Sequence, residues 1–376
     1  MGQSMPKRWI TAGLLGALLM GTVPANWNTL QVFAASEKAY VTTVQGLQLE
    51  MTEGLEARKT SMTIKYKGST KNLESLLKKA ITGALDSDPY TKYIVDRYTY
   101  TWRGTSGTAK ISLSVKYREN KDQSAYVNWR VAGILKSIIT SGMNDHQKVK
   151  AIHDYVVQNL KYDEDLKKYT AYEGLQTGEA VCQGYTLLTY KLLKGAGINN
   201  EIVEGTAGGQ LHAWNLVELG KKWYHLDTTW DDPLLAPQDQ ISYAYYLLTD
   251  VQIRKDHQWT IKYPAANTLY RNTLNALVNK GSAGTAVYKE LQQQLGLHLY
   301  DPSLAVSTVE GLQSKVSQEI KAGGLSVTIR YSGTEQEMLR DLESLYDLPV
   351  ENVRYLSGPL EGTDDLRVEI HWETTR

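Results

Sequence analysis

Apolar positions along the chain change period several times, and each change marks a different kind of element. In TIKY at Thr63 to Tyr66 and TIRY at Thr328 to Tyr331, apolar and basic residues alternate. That spacing predicts strands with Ile64 and Tyr66, or Ile329 and Tyr331, on one face. Helical spacing follows each at Leu73 to Ile81 and Met338 to Leu345. Two strand-like runs come next, Tyr98 to Arg103 with Ile111 to Tyr117, and Arg354 to Leu356 with Leu366 to Trp372. The two regions also share letters in one ungapped register. TVQGLQ at Thr43 to Gln48 returns as TVEGLQ at Thr308 to Gln313, and SMTIKYKGST from Ser61 returns as SVTIRYSGTE from Ser326. Each region reads as one copy of a small α+β module. Two roles are open to the pair: packing domains that support the middle, or binding modules for a wall polymer or protein partner.

Between the copies, the polar stretch Lys121 to Ser124 reads as a linker. Helical periodicity resumes at Val131, Ile134, Leu135 and Ile138, and again at Val149, Ile152, Val156 and Leu160. A third helix is expected from Val181 to Leu193, with Gly195 and Gly197 as stops. The runs Glu201 to Glu204, Ala213 to Leu219 and Lys222 to Asp227 have strand composition, and a turn at Gly220 makes the last two a hairpin. Tyr270 to Leu297 is helical again. The expected fold is α+β, with helices packed on an antiparallel sheet and a related module on either side. The expected boundaries are 1–35 for a signal segment, 40–120 for the first module, 128–262 for a central domain, 263–304 for a helical connector and 305–376 for the second module.

The first 35 residues stand apart. Lys7 and Arg8 precede an apolar run from Trp9 to Val23, and small residues follow at Ala34 and Ala35, which is the layout of a secretory signal. The run is about 15 residues, short of the roughly 20 that a spanning helix needs. Cleavage near Ala34 or Ala35 is expected, with retention as an anchor the alternative. Cleavage would leave a secreted or wall-associated protein with no membrane partner. Removing Lys7 and Arg8 turns 41 basic against 41 acidic residues into 39 against 41, which gives no reason to expect a nucleic acid. With 42% hydrophobic and 22% charged residues, neither disorder nor a membrane bundle is suggested.

One cysteine, Cys182, is present in the whole chain, so it cannot form an intramolecular disulfide. In GEAVCQGYTLL it falls in the first turn of the third helix, where unpaired N–H groups favour negative charge and suit a thiolate nucleophile. A thiolate needs a partner that handles protons near neutral pH, and His212 opens a strand 30 residues later. A carboxylate should orient that imidazole. Asp227 ends the next strand, and residues 212 and 227 are about equidistant from the turn at Gly220.

With those pieces in place, the sequence resembles the transglutaminase-like superfamily, in its branch of exported bacterial proteins with a cysteine, histidine and aspartate core. HDYVVQNLKYD from His153, TAYEGLQTGEAVCQGYT around Cys182, HAWN at His212, WYHLDTTWDDP around Asp227, SYAYYLLTD, and RKDHQW near His257 carry the resemblance. It implies a papain-like fold and a catalytic triad of Cys182, His212 and Asp227. The cysteine would form a thioester with a protein or peptide carboxamide and pass the acyl group to an amine or water. The backbone N–H of Cys182 would be one oxyanion donor, and Gln176, six residues earlier, a candidate for a second. Tyr185 and Trp214 are candidates for cleft walls, with ordinary core packing the alternative for both. His153 and His257 read as packing residues. His225 shares a strand face with Asp227, so packing and support of the triad are both open to it, and Asp231 and Asp232 read as turn formers with ion binding the alternative. No group has the spacing of a zinc site, and no cofactor is expected. The alternatives are a cysteine protease of the same fold and a non-catalytic surface-binding or scaffold protein. Oligomeric state is not readable.

Overall fold

The computed structural model describes residues 39–232, 241–281 and 284–374, so the expected signal segment at 1–35 lies outside the described residues. Among the described residues, no helix is long and apolar enough to cross a membrane.

The chain first folds as α1 (Val44–Glu56), β1 (Ser61–Lys67), α2 (Leu73–Leu85), α3 (Pro89–Ile94), β2 (Val95–Gly104) and β3 (Thr108–Tyr117). β3 lies between β1 and β2, both antiparallel to it. Ile64 and Tyr66 turn inward onto α1 and α2, as the alternation requires. Far along the chain, α11 (Val309–Lys321), β10 (Ser326–Tyr331), α12 (Glu335–Glu343), β11 (Val350–Pro359) and β12 (Leu366–Thr374) form a sheet of the same order, β10-β12-β11. Ile329 and Tyr331 belong to its core. The shared TVxGLQ motif has one local job in both places. Thr43 Oγ1 accepts from Gly46 N at 3.0 Å, and Thr308 Oγ1 accepts from Gly311 N at 3.1 Å, so each threonine caps the helix that follows.

The largest core lies between these modules. Its helices are α4 (Lys121–Ile138), α5 (Asp145–Asn159), α6 (Ala171–Thr177) and α7 (Cys182–Gly195). β4 (Lys161–Tyr162) and β5 (Glu179–Ala180) form a short parallel pair that leads the chain into α7. Against α7 packs a four-stranded antiparallel sheet, β8-β7-β6-β9. Its strands are β6 (Asn200–Ala207), β7 (Gln210–Leu219), β8 (Lys222–Leu226) and β9 (His257–Gln258), with the short α8 (Asp250–Ile253) before β9. The turn at Gly220 is present and joins β7 to β8.

The polar stretch Lys121–Ser124 is not a linker: it is the first turn of α4. Asn120 Oδ1 accepts from Gln123 N at 3.0 Å while Gln123 Oε1 accepts from Asn120 N at 2.8 Å, a capping box that converts a polar sequence into a helix start. The first module is also joined to the central core through α3, whose Tyr90 and Ile94 are buried within it. The helical connector consists of α9 (Tyr270–Asn279) and α10 (Thr285–Gln294), and Tyr270, Leu274 and Leu291 complete the same core.

α9 is anchored to α5 through His146, which is buried, stacked on Tyr270 and hydrogen-bonded to its hydroxyl at 2.9 Å. Burial lowers the His146 pKa from 6.5 to about 4, so on acidification the unfolded chain takes up this proton first. The stabilising contribution is complete above pH 6.5 and is lost as pH falls through about 4, on the order of 3 kcal/mol at the acid end. Melting temperature should therefore drop between pH 7 and pH 4.5. His146→Gln should flatten that slope, and an unchanged slope in thermal melts would assign the acid sensitivity elsewhere.

Candidate active site

Cys182 is the first residue of α7, and the residue before it, Val181, has no side chain able to cap the helix. The N–H groups of Cys182 and Gln183 therefore have no acceptor within the helix. They are the donors available to an oxyanion formed at the cysteine. α7 is fixed against the sheet by two buried threonines. One turn after the cysteine, Thr186 Oγ1 donates to the carbonyl of Ala213 at 2.7 Å, beside His212. A turn further on, Thr189 and Thr228 share a hydroxyl bond of 3.1 Å, beside Asp227. The helix that carries the thiol is thus tied separately to the strand with the imidazole and to the loop with the carboxylate.

His212 Nε2 lies 2.6 Å from Asp227 Oδ2, and the Cys182 thiol is close enough to the same ring to help raise its pKa. With Nε2 engaged by the carboxylate, Nδ1 is the nitrogen left to meet the thiol. The hairpin register runs Asn215↔Leu226 through Leu219↔Lys222. Extended by one step, it would set Asp227 across from Trp214 rather than His212, so the ion pair is diagonal. The ladder ends at Leu226. Asp227 then leaves it, with its N–H on the carbonyl of Tyr245 and its Oδ1 accepting from Thr229 N and Trp230 N at 2.9 and 3.2 Å.

This stretch also matches a known sequence family. The family model of the transglutaminase-like superfamily covers residues 132–228, which include Cys182, His212 and Asp227. Residues 132–228 thus match a transglutaminase-like core. Kyphoscoliosis peptidase of Mus musculus is 24% identical over 161 residues, 37% of this chain and 24% of that protein. The protein of the same name from Homo sapiens gives the same figures, so the chain spans about a quarter of the length of these curated relatives. A solved TGase structure is 15% identical with a TM-score of 0.28, covering 48% of this chain and 54% of that one.

Within the transglutaminase-like core, the other expected site residues fall differently. Gln176 is exposed near the end of α6 and forms none of the hydrogen bonds of the site. Tyr185 does not wall a cleft. It is buried, because α7 is enclosed by α4, α5, α6 and β7 beyond its first turn, and its hydroxyl donates to Asp232. Trp214 is buried as well, behind the imidazole rather than in front of it. Its ring stacks on His212 with centroids 5.8 Å apart, and its Nε1 donates to His225 Nδ1 at 2.9 Å. Since an indole N–H only donates, His225 must carry its proton on Nε2, which meets Asp250 Oδ1 at 2.9 Å. His225 therefore supports the site through Trp214. Asp231 and Asp232 hold the turn after Asp227: Asp231 reaches buried His153 at 3.0 Å, and Asp232 takes the Tyr185 hydroxyl.

Sequence spacing gave no sign of the role of His257. Its Nε2 lies 2.9 Å from Asp227 Oδ2, the oxygen that also meets His212. His212, Asp227 and His257 thus bring one potential metal-ligand atom each within 4.8 Å of one another, a cluster absent from any linear spacing. In the structure those atoms bond to each other. A groove of about 390 Å³ runs between α3 and β6, lined by Lys92, Tyr93, Glu201, Glu204 and Tyr263 among others. Tyr93 in its lining is tied to α7, since its carbonyl accepts from Gln183 Nε2 at 3.2 Å. Burial pushes the Tyr93 phenol up, aided by Glu204.

Burial alone would lower the His212 pKa, but Asp227 and the adjacent thiol outweigh it and lift the pKa from 6.5 to about 10. Burial would raise Asp227, yet the two imidazoles, His212 first, hold its carboxyl well below the usual range. The contribution of His212 is complete below pH 6.5 and lost as pH rises through about 10. That of Asp227 is complete above pH 3.8 and lost only in stronger acid. The charged pair therefore spans the neutral range. Alkylation of Cys182 by iodoacetamide should slow roughly 10-fold or more in His212→Ala. Equal alkylation rates in wild type and His212→Ala would argue against an imidazole that activates the thiol.

Proposed function

We propose that the protein is an exported cysteine enzyme that opens protein or peptide amides through a thioester and delivers the acyl group to an amine or water. The observation that carries this reading is the 2.6 Å His212–Asp227 pair beside a thiol at an uncapped helix start. Cys182 Sγ attacks the carbonyl carbon, and the oxygen takes negative charge at the backbone N–H groups of Cys182 and Gln183. His212 gives its proton to the departing nitrogen as the C–N bond breaks, leaving a thioester. An incoming amine or water attacks the thioester, His212 takes its proton, and Cys182 leaves as thiolate. Asp227 stabilises the imidazolium before acylation and after turnover.

Export is read from Lys7, Arg8 and the apolar run to Val23, and places the substrate outside the cell. The groove beside Tyr93 includes Tyr190 of α7 in its lining and so adjoins the nucleophile helix. Transfer and hydrolysis share the first half of the reaction, so the acceptor decides between a cross-linker and a protease. Both modules present outer strands with exposed side chains, such as Tyr98 and Tyr355, as surfaces for a wall polymer or protein partner.

The mature protein should couple a fluorescent alkylamine to a glutamine-rich protein such as casein, and Cys182→Ala should abolish the coupling. Peptide cleavage without amine incorporation would select the protease. Absence of both, with wild-type and Cys182→Ala alike across peptide and protein substrates, would remove the enzymatic reading.

A further inference from the structure

Asp227 accepts four hydrogen bonds, and of its two imidazole donors one lies outside the triad. Oδ1 is occupied by the backbone N–H groups of Thr229 and Trp230, and Oδ2 by His212 Nε2 and by His257 Nε2. An ionised carboxylate can only accept, so the proton in the second imidazole contact belongs to His257. That ring is fully buried. Trp230 and Trp214 meet it edge-on, with centroids 4.7 and 5.0 Å away. Its other nitrogen, Nδ1, lies 2.5 Å from Asp256 Oδ1, and Asp256 Oδ2 accepts from the Tyr245 hydroxyl at 2.6 Å. Asp256 therefore fixes the ring, and the ring fixes Asp227.

The backbone is arranged to deliver this imidazole. His257 arrives on β9, a strand of two residues whose pairing is Ala207↔His257 and Thr206↔Gln258. β9 can lie this close to β6 only because residue 205 is glycine. A Cβ there would stand 2.0 Å from the Gln258 carbonyl oxygen and 3.0 Å from the Trp214 ring. Gly205 is paired with His212 on the neighbouring strand, so the close approach occurs beside the imidazole of the triad.

We infer that His257 is a positioning residue of the active site, whose Nε2–H holds Asp227 Oδ2 in the orientation that aligns His212 with Cys182. The inference rests on the enzymatic reading above. A packing role would need only a ring of this volume. A buried imidazole with both nitrogens bonded to carboxylates is costly to bury for packing alone, and the donated hydrogen bond is what a hydrocarbon ring cannot supply.

The test separates donor from volume in the full mature chain. His257→Phe keeps an aromatic ring and loses the donor, while His257→Gln keeps a donor near the Nε2 position and loses the ring. Amine incorporation should fall roughly 10- to 100-fold in kcat for His257→Phe, with KM within about twofold, and His257→Gln should recover most of the loss. Iodoacetamide alkylation of Cys182 at pH 6 should follow the same order. Wild-type kcat in His257→Phe, or a glutamine variant no better than the phenylalanine one, would overturn the proposal. If His257→Phe does not fold, Asp256→Asn loosens the outer anchor of the ring at a partly exposed position, and undiminished kcat there would also overturn it. A wild-type thiol whose alkylation does not depend on His212 would instead remove the enzymatic reading itself, and so the two failures are distinguishable.

Discussion

A carboxylate as deeply buried as that of Asp227 is tolerable only where donors converge on it, and the architecture around it is largely a device for supplying four. Two are backbone N–H groups, which require the chain to leave the β7–β8 ladder after Leu226 and turn at once. Two are imidazoles from the two strands that flank β6, one on β7 and one on β9. The turn is held in place by buried His153 on α5 and by Tyr185 on α7, and the imidazoles are held by Trp214, Trp230 and Asp256. Relaxing any of these would leave a buried negative charge with too few partners, which is why so many aromatic and polar side chains crowd one corner of the domain.

Elements with a long, regular apolar period were readable before any coordinates. α4, α5 and α7 follow the spacing of Val131, Val149 and their neighbours, and the β7–β8 hairpin follows from its turn at Gly220. Cys182, His212 and Asp227 meet because the helix start and the hairpin are both local features that counting can place. The contributions of His225 and His257 are not local in that sense. Each depends on which strand lies next to which, and β9 has two residues and no period to detect. The one trace in the sequence is Gly205 in a strand otherwise rich in larger residues. Capping chemistry was overlooked for a different reason: Lys121–Ser124 has the composition of a linker, and only the reciprocal bonds of Asn120 and Gln123 make it a helix start.

Tyr185 and Trp214 teach a related lesson. An aromatic residue one turn after a nucleophile, or two residues after a histidine on a strand, looks from spacing alone like a cleft wall. In a domain where α7 is enclosed on most sides, those positions face inward, and their polar atoms tie the catalytic side chains from behind.

The two flanking modules share sheet order and helix caps, but they are not exchangeable parts. Between α2 and β2 the first module inserts α3, whose Tyr90 and Ile94 are buried in the central core. Between α12 and β11 the second has only a short 3-10 turn, Ser344–Asp347, whose Leu345 stays within its own core. A chain with its modules transposed would leave a vacancy beside the nucleophile helix where Tyr90 belongs. It would also lose the Tyr93 carbonyl that receives Gln183. Position along the chain therefore carries information that the shared motif does not, and the first module is a structural part of the central domain as well as its neighbour.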